Sequence, residues 1–150
     1  MSLQDGVFAV HTGDYSRVVE VWQASVRATH HFVKESDIEI FTPMVRDELP
    51  NVDLGSVRDE NGVVVGFIGI AERKIEMLFI HPDWRGQGLG RRLVSYAVDK
   101  HGATTVDVNE QNDQALGFYL RMGFEVVGRS DLDGTGKPYP LLHMRLADSK

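Results

Sequence analysis

Residues 85–91 read Arg-Gly-Gln-Gly-Leu-Gly-Arg. Three glycines in five residues leave backbone N–H groups uncovered where a helix begins. That helix end carries partial positive charge, so the string suits an anion and above all a phosphate. Arg85, Arg91 and Arg92 add fixed cations able to take phosphate oxygens in forked hydrogen bonds. An ordinary Gly-rich turn beside solvated arginines would look the same, so the surroundings must decide. A Walker loop needs Gly, four residues, then Gly-Lys-Ser/Thr, and no such string occurs. The dinucleotide fingerprint wants a third glycine where Arg91 stands, although Asp107 and Glu110 supply acids about twenty residues on.

Two stretches must position this loop. Before it, Ile75, Met77, Leu78, Phe79 and Ile80 form an apolar run broken only by Glu76, which reads as a central strand buried on both faces. His81-Pro82 stops the run, because proline has no N–H for a ladder. After it, Leu89, Leu93, Tyr96 and Ala97 recur at helical spacing, and Lys100-His101-Gly102 gives a basic last turn and a glycine stop. An Arg-x-x-Gly-x-Gly string behind a Leu-aromatic-Ile strand and a His-Pro-acid-aromatic turn closely resembles the acyl-CoA-binding motif of the GNAT superfamily of N-acyltransferases. Asn112-Asp113-Gln114-Ala115 through Phe118-Tyr119 to Gly123-Phe124 is similar to that family's second helix segment. The two segments cover residues 75 to 129; the first half matches only in length and element order. The resemblance implies a single domain over 1–150 with a mixed α/β (α+β) fold. Its sheet would be mostly antiparallel, six- to seven-stranded, with helices on both faces. The central strand and the 104–109 strand would splay apart, with the pantetheine arm of acetyl-CoA in the gap.

At 150 residues the chain can bury about two-thirds of its unfolded surface. Sixteen basic against twenty-two acidic residues give net −6, which argues against a nucleic-acid surface and weakly fits a cationic acceptor. There is no cysteine, so an acyl-cysteine intermediate is excluded and acyl transfer would be direct. No apolar stretch nears transmembrane length and no leader pattern is present, so a cytoplasmic protein without a membrane partner is expected. No side-chain constellation resembles a metal site. A homodimer is left open. Met1-Ser2-Leu3 reads as a short cloning leader without a role.

Along the chain, Val7 to Val10 reads as a strand, and Asp14 or Ser16 can cap a helix to about Ala28, with Val18, Val21, Trp22, Ser25 and Thr29 on one face. Ser36 to Glu39 is a capping-box pattern opening a second helix to about Glu48, with Pro43 placed to kink or split it. Val52 to Arg58 and Val63 to Ala71 read as strands joined by the turn Asp59-Glu60-Asn61-Gly62. Thr104 to Asn109, Phe124 to Arg129 and Leu141 to Leu146 complete the strands, with a polar loop over residues 130–140.

Acetyl-CoA is a polyanion with a long arm, and it needs two kinds of contact. Arg85, Gly86, Gln87, Gly88, Leu89, Gly90 and Arg91 would take the pyrophosphate; Leu78 and Ile80 would offer free backbone groups to the pantetheine amides. The N–H of Leu78 or Phe79 would face the developing oxyanion. Their side chains read as core, so only their backbone is given a role. The family places the Phe-Tyr tyrosine beside the sulfur, which makes Tyr119 the candidate acid for a leaving thiolate of pKa about 8.5. Asn112 reads first as a helix cap, a role compatible with touching ligand.

An alkyl amine of pKa about 10.4 must lose a proton before it attacks, so a base or a water chain ending in one is expected. Candidates are Glu76, on the strand where the family often keeps a carboxylate, and His30 and His31, in the segment that usually lines the acceptor side. His81 and His143 read as structural. Acids at Glu35, Asp37 and Glu39, and at Asp131 and Asp133, would draw a cationic acceptor: a protein lysine or a small-molecule amine. The expected activity is N-acetyl transfer in a ternary complex. A non-catalytic acyl-CoA sensor on the same fold is the alternative, since fold does not fix function.

Overall fold

The computed structural model describes residues 2–4 and 6–147. The chain divides into two compact units, residues 1–103 and 104–150. In the first, β1 (Ser2–Gln4), β2 (Val7–Phe8), β3 (Asp53–Arg58), β4 (Val64–Ala71) and β5 (Lys74–Ile80) follow one another as antiparallel neighbours. Its helices are α1 (Tyr15–Thr29), α2 (Glu35–Glu48) and α3 (Leu89–His101). The second holds β6 (Thr105–Asn109), α4 (Asp113–Arg121), β7 (Phe124–Ser130) and β8 (Leu141–Leu146), with β8 antiparallel to both other strands. The class is the mixed, mostly antiparallel one expected. The described strands number eight rather than six or seven, because Ser2–Gln4 pairs with β2 instead of being an idle leader.

Each face of the first unit's sheet carries helices. Val18, Val21, Trp22 and Val26 of α1 and Ile38 of α2 form one buried cluster with Phe67 and Met77. On the opposite face lies α3: a Cβ on Gly55 would stand 3.0 Å from the Tyr96 ring, so the missing side chain lets the helix sit close. The strand buried along its length is β4, not β5. In β5 only Ile75 and Met77 are buried, and Leu78, Phe79 and Ile80 are half-covered. The apolar run thus reports a strand correctly and its burial incorrectly.

Local signals failed where side chains found other partners. Asp14 precedes α1 without capping it; its carboxylate accepts from the His11 N–H at 2.9 Å and pairs with Arg58 at 3.0 Å. The box at Ser36 does not form, since the N-cap of α2 lies two residues earlier, at Lys34. Pro43 does not split α2; it sits on an exposed part of the helix, where water can serve the carbonyl it deprives of a donor. The first expected strand is only Val7–Phe8.

Candidate functional site

The register against β4 decides which backbone groups of β5 bond to that neighbour. The His81 N–H donates to the Val65 carbonyl at 2.8 Å, and the register runs Gly66–Ile80, Phe67–Phe79, Ile68–Leu78. Hydrogen-bonded and non-bonded pairs alternate in an antiparallel ladder. Phe79 therefore bonds to β4, whereas the N–H and C=O of Leu78 and Ile80 point away from it. Of the two oxyanion donors considered, only the Leu78 N–H points away from β4. One residue breaks the register: Gly69 faces Met77 and Ile70 faces Ile75, so Glu76 is the extra residue of a β-bulge. Its carboxylate lies 3.6 Å from Lys74 Nζ.

Beyond β5 a short 3-10 turn, Pro82–Trp84, is capped by His81, whose Nδ1 accepts from the Asp83 N–H at 3.2 Å. Gly86 and Gly88 follow, both at φ +77, a left-handed conformation that costs a residue with a Cβ about 1–2 kcal/mol. A Cβ at either would meet nothing within 4 Å, so both glycines border open space. Gly88 is the N-cap of α3 and has no side chain to serve the helix's first N–H groups. The first intrahelical bond found there is Arg92 N–H to Gly88 C=O at 3.1 Å. The amides of Leu89, Gly90 and Arg91 thus lie at an uncapped positive helix end, a cradle that fits a pyrophosphate. Arg85, Gln87 and Arg91 are exposed around it. Arg92 is not among them: its guanidinium lies against Gly6, 2.8 Å from where a Cβ there would stand.

In the second unit Asn112 caps α4, its Oδ1 accepting from the Ala115 N–H at 3.2 Å. Tyr119 of α4 is 5% exposed, its ring edge-on to Phe118 and Phe124 at 5.1 and 5.5 Å. Burial pushes the phenol's pKa well above its usual value. Among the described residues no hydrogen bond to the Tyr119 hydroxyl is found. A buried ring with a free, protonated hydroxyl is what a placed acid requires.

The base candidates fare unevenly. His30 is tucked among aromatic rings, 5.3 Å from Phe32 and 6.4 Å from Phe79, with its Nδ1 2.7 Å from Thr29 Oγ1. Desolvation, with the nearby His31 charge, lowers its pKa to about 4, which makes it a poor proton acceptor. His31 is exposed. The acids are also less free than their count suggests. Glu35 pairs with Arg27 at 2.7 Å, and Asp131 pairs with Arg129, which also holds Glu110 at 2.6 Å. Asp133 serves its own loop, accepting from the Thr135 N–H and hydroxyl and from the Lys137 N–H.

One constellation escaped the sequence. His143 of β8 lies between Asp107 of β6 and Ser130 of β7, with Nδ1 2.6 Å from Asp107 Oδ1 and Nε2 2.6 Å from Ser130 Oγ. These residues are 13 and 36 positions apart in the chain and meet only through strand register. The available signal was the alternation of three strands whose pairing order the sequence does not print.

The family model described as an acetyltransferase (GNAT) domain matches residues 27–146. The chain is 42% identical over 128 residues, 85% of itself and 88% of the relative, to the peptidyl-lysine N-acetyltransferase YjaB of Salmonella typhimurium. The solution structure of apo-form YjaB from Escherichia coli superposes with a TM-score of 0.87 at 38% identity, covering 95% of this chain and 97% of that one. The PaiA N-acetyltransferase of Thermoplasma acidophilum, solved in complex with coenzyme A, shares the fold with a TM-score of 0.70 at 21% identity, covering 98% and 100% of the two chains. The chain belongs to the GNAT family of N-acetyltransferases, enzymes that take an acetyl group from acetyl-CoA and pass it to an amine.

Proposed function

We propose that this chain acetylates lysine side chains of proteins, by direct transfer while acetyl-CoA and acceptor are bound together. The observation that carries the acceptor is the likeness across 88% of a relative named peptidyl-lysine N-acetyltransferase. The left-handed glycines and the uncapped start of α3 take the pyrophosphate, with Arg85 and Arg91 adding charge. The outward backbone of Leu78 and Ile80 takes the pantetheine amides, and the Leu78 N–H serves the oxyanion. Tyr119 protonates the leaving thiolate. The absence of cysteine supports direct transfer. A cytoplasmic setting belongs to it, because the donor is an intracellular metabolite.

Free CoA thiol and acetyl-lysine should be measured together across lysine peptides, α-amine peptides and small amines. The expected result is thiol release that depends on lysine peptide and matches acetyl-lysine formed. Release driven only by small amines would overturn the protein-lysine assignment, and release without any amine would overturn direct transfer to an amine.

A further inference from the structure

The second unit contains a better-built proton acceptor than any nominated from the sequence. Residues directly opposite one another in an antiparallel ladder share a face. Register puts Asp107, His143 and Gly128 in one row, with Asn109, Leu141 and Ser130 in the next row of the same face. The opposite face carries the buried Val106, Val108, Phe124 and Met144, so the Asp107–His143–Ser130 line runs along the half-open side.

Two local features make that line. A register shift between Val126 and Gly128 leaves Val127 as an extra residue, and such bulges re-aim the strand beyond them. Gly128 sits under the imidazole, where a Cβ would come within 3.4 Å of His143 Cδ2. The ring therefore leans over β7 and reaches Ser130. An ionised carboxylate can only accept, so with Asp107 at Nδ1 the proton of neutral His143 sits on Nδ1, and Nε2 accepts from the Ser130 hydroxyl. His143 is Ser130's one side-chain partner among the described residues, which leaves the serine oxygen a lone pair. Ser130 also immediately precedes Asp131, at the start of the 131–140 loop.

We propose that Ser130 and His143, oriented by Asp107, form the relay that deprotonates the acceptor amine; this rests on the lysine-acetylating reading above. Ser130 Oγ meets the ammonium. As one N–H proton passes to that oxygen, the serine's own proton passes to His143 Nε2, and Asp107 stabilises the resulting imidazolium. The freed nitrogen lone pair bonds to the acetyl carbon and the C–S bond breaks. The sulfur takes Tyr119's proton, Tyr119 recovers the one shed by the new amide nitrogen, and the imidazolium's proton goes to solvent. One proton is released per turnover. Ser130 touches the substrate, His143 acts through it, and Asp107 is a positioning residue.

The charged groups sharing His143's face are Asp107 on β6, Glu125 on β7 and Arg145 on β8; the last two lie opposite each other one row away. Arg129 with Glu110 and Asp131 forms its own cluster.

The test is the pH profile of kcat/KM for whichever amine the wild type acetylates fastest, in wild type, His143→Gln, Ser130→Ala, Ser130→Thr and Asp107→Asn. Wild type should show one limb that rises with pH, as a base that must be deprotonated requires. His143→Gln should lose that limb and fall about 10²–10⁴-fold, the usual worth of a placed base. Ser130→Ala should fall and Ser130→Thr, which restores the hydroxyl, should recover. Asp107→Asn should fall with the limb displaced. CoA affinity by calorimetry should stay within about twofold of wild type throughout, which reports folding separately. A His143→Gln enzyme with the wild-type rate and pH profile would overturn the relay and leave lysine acetylation standing. A wild type that acetylates no amine would overturn both.

Discussion

Tyr119 combines two properties that pull against each other. Burial among Phe118 and Phe124 raises its pKa, which keeps the proton in place but makes the phenol a weaker acid. The thiolate it would serve has a free pKa of about 8.5, so the transfer looks uphill in water. A thiolate formed in the same dry surroundings is destabilised as well, which narrows the gap. Tyr119→Phe keeps the ring contacts and removes only the hydroxyl. Its kcat should fall by about 10²–10⁴ while CoA affinity hardly changes. The raised pKa adds a sign: deprotonation of Tyr119 should cause no loss of kcat until pH is above about 10. Wild-type turnover in the Phe variant would leave Tyr119 a packing residue.

At the scale of elements, the loop between β5 and α3 can be separated from ordinary helix termination by comparing two glycines. Gly88 and Gly102 bracket α3 and are both left-handed, at φ +77 and +62. An added Cβ should cost each about 1–2 kcal/mol of stability from backbone strain. Only at Gly88 does that Cβ enter open space beside uncapped amides; at Gly102 it would lie 3.5 Å from Arg73 Nε. Gly88→Ala and Gly102→Ala should therefore melt alike, while calorimetry finds CoA affinity lowered at least tenfold only in the first. Equal CoA affinity in both variants would remove the pyrophosphate from this loop. These elements were legible because their signals are local. A glycine stop, an Asn cap at residue 112 and a three-glycine start each act within one turn, and the structure keeps the cap and the stop. What stayed hidden is non-local. Asp14 turns to Arg58, 44 residues away, instead of capping, and His143 meets Asp107 and Ser130 only after β8 lies between β6 and β7. Strand alternation says that two residues share a face, never which strand will stand beside them.

For the molecule as a whole, pH should act on stability through His30 before it acts through any carboxylate. His30 ends α1 and lies against Phe32 and Phe79, so the fold holds it neutral with a pKa lowered to about 4. In the unfolded chain it protonates near 6.5. A base whose folded pKa is depressed contributes stability that is complete above about pH 6.5 and lost progressively as pH falls toward 4, because the unfolded state binds the proton first. The residue is only partly buried, so the loss is on the order of 1–3 kcal/mol. Asp14 behaves as an ordinary depressed carboxylate, held down by its hydrogen bond to Arg58; its contribution is present above its usual pKa of 3.8 and fades below that. Glu35 and Glu110 are lowered by Arg27 and Arg129 in the same direction, but as exposed pairs they matter little. The two windows are therefore separate. Between pH 7 and pH 5 the melting temperature of the wild type should drop by about 2–6 °C. His30→Phe keeps an aromatic ring beside Phe32 and Phe79 and has nothing to protonate, so its drop over the same interval should be less than half as large. Below pH 4 the two proteins should lose stability in parallel as Asp14 protonates. Thermal unfolding of both at pH 7, 6, 5 and 3.5 gives the comparison, and equal drops between pH 7 and 5 would show that the protein does not hold His30 neutral.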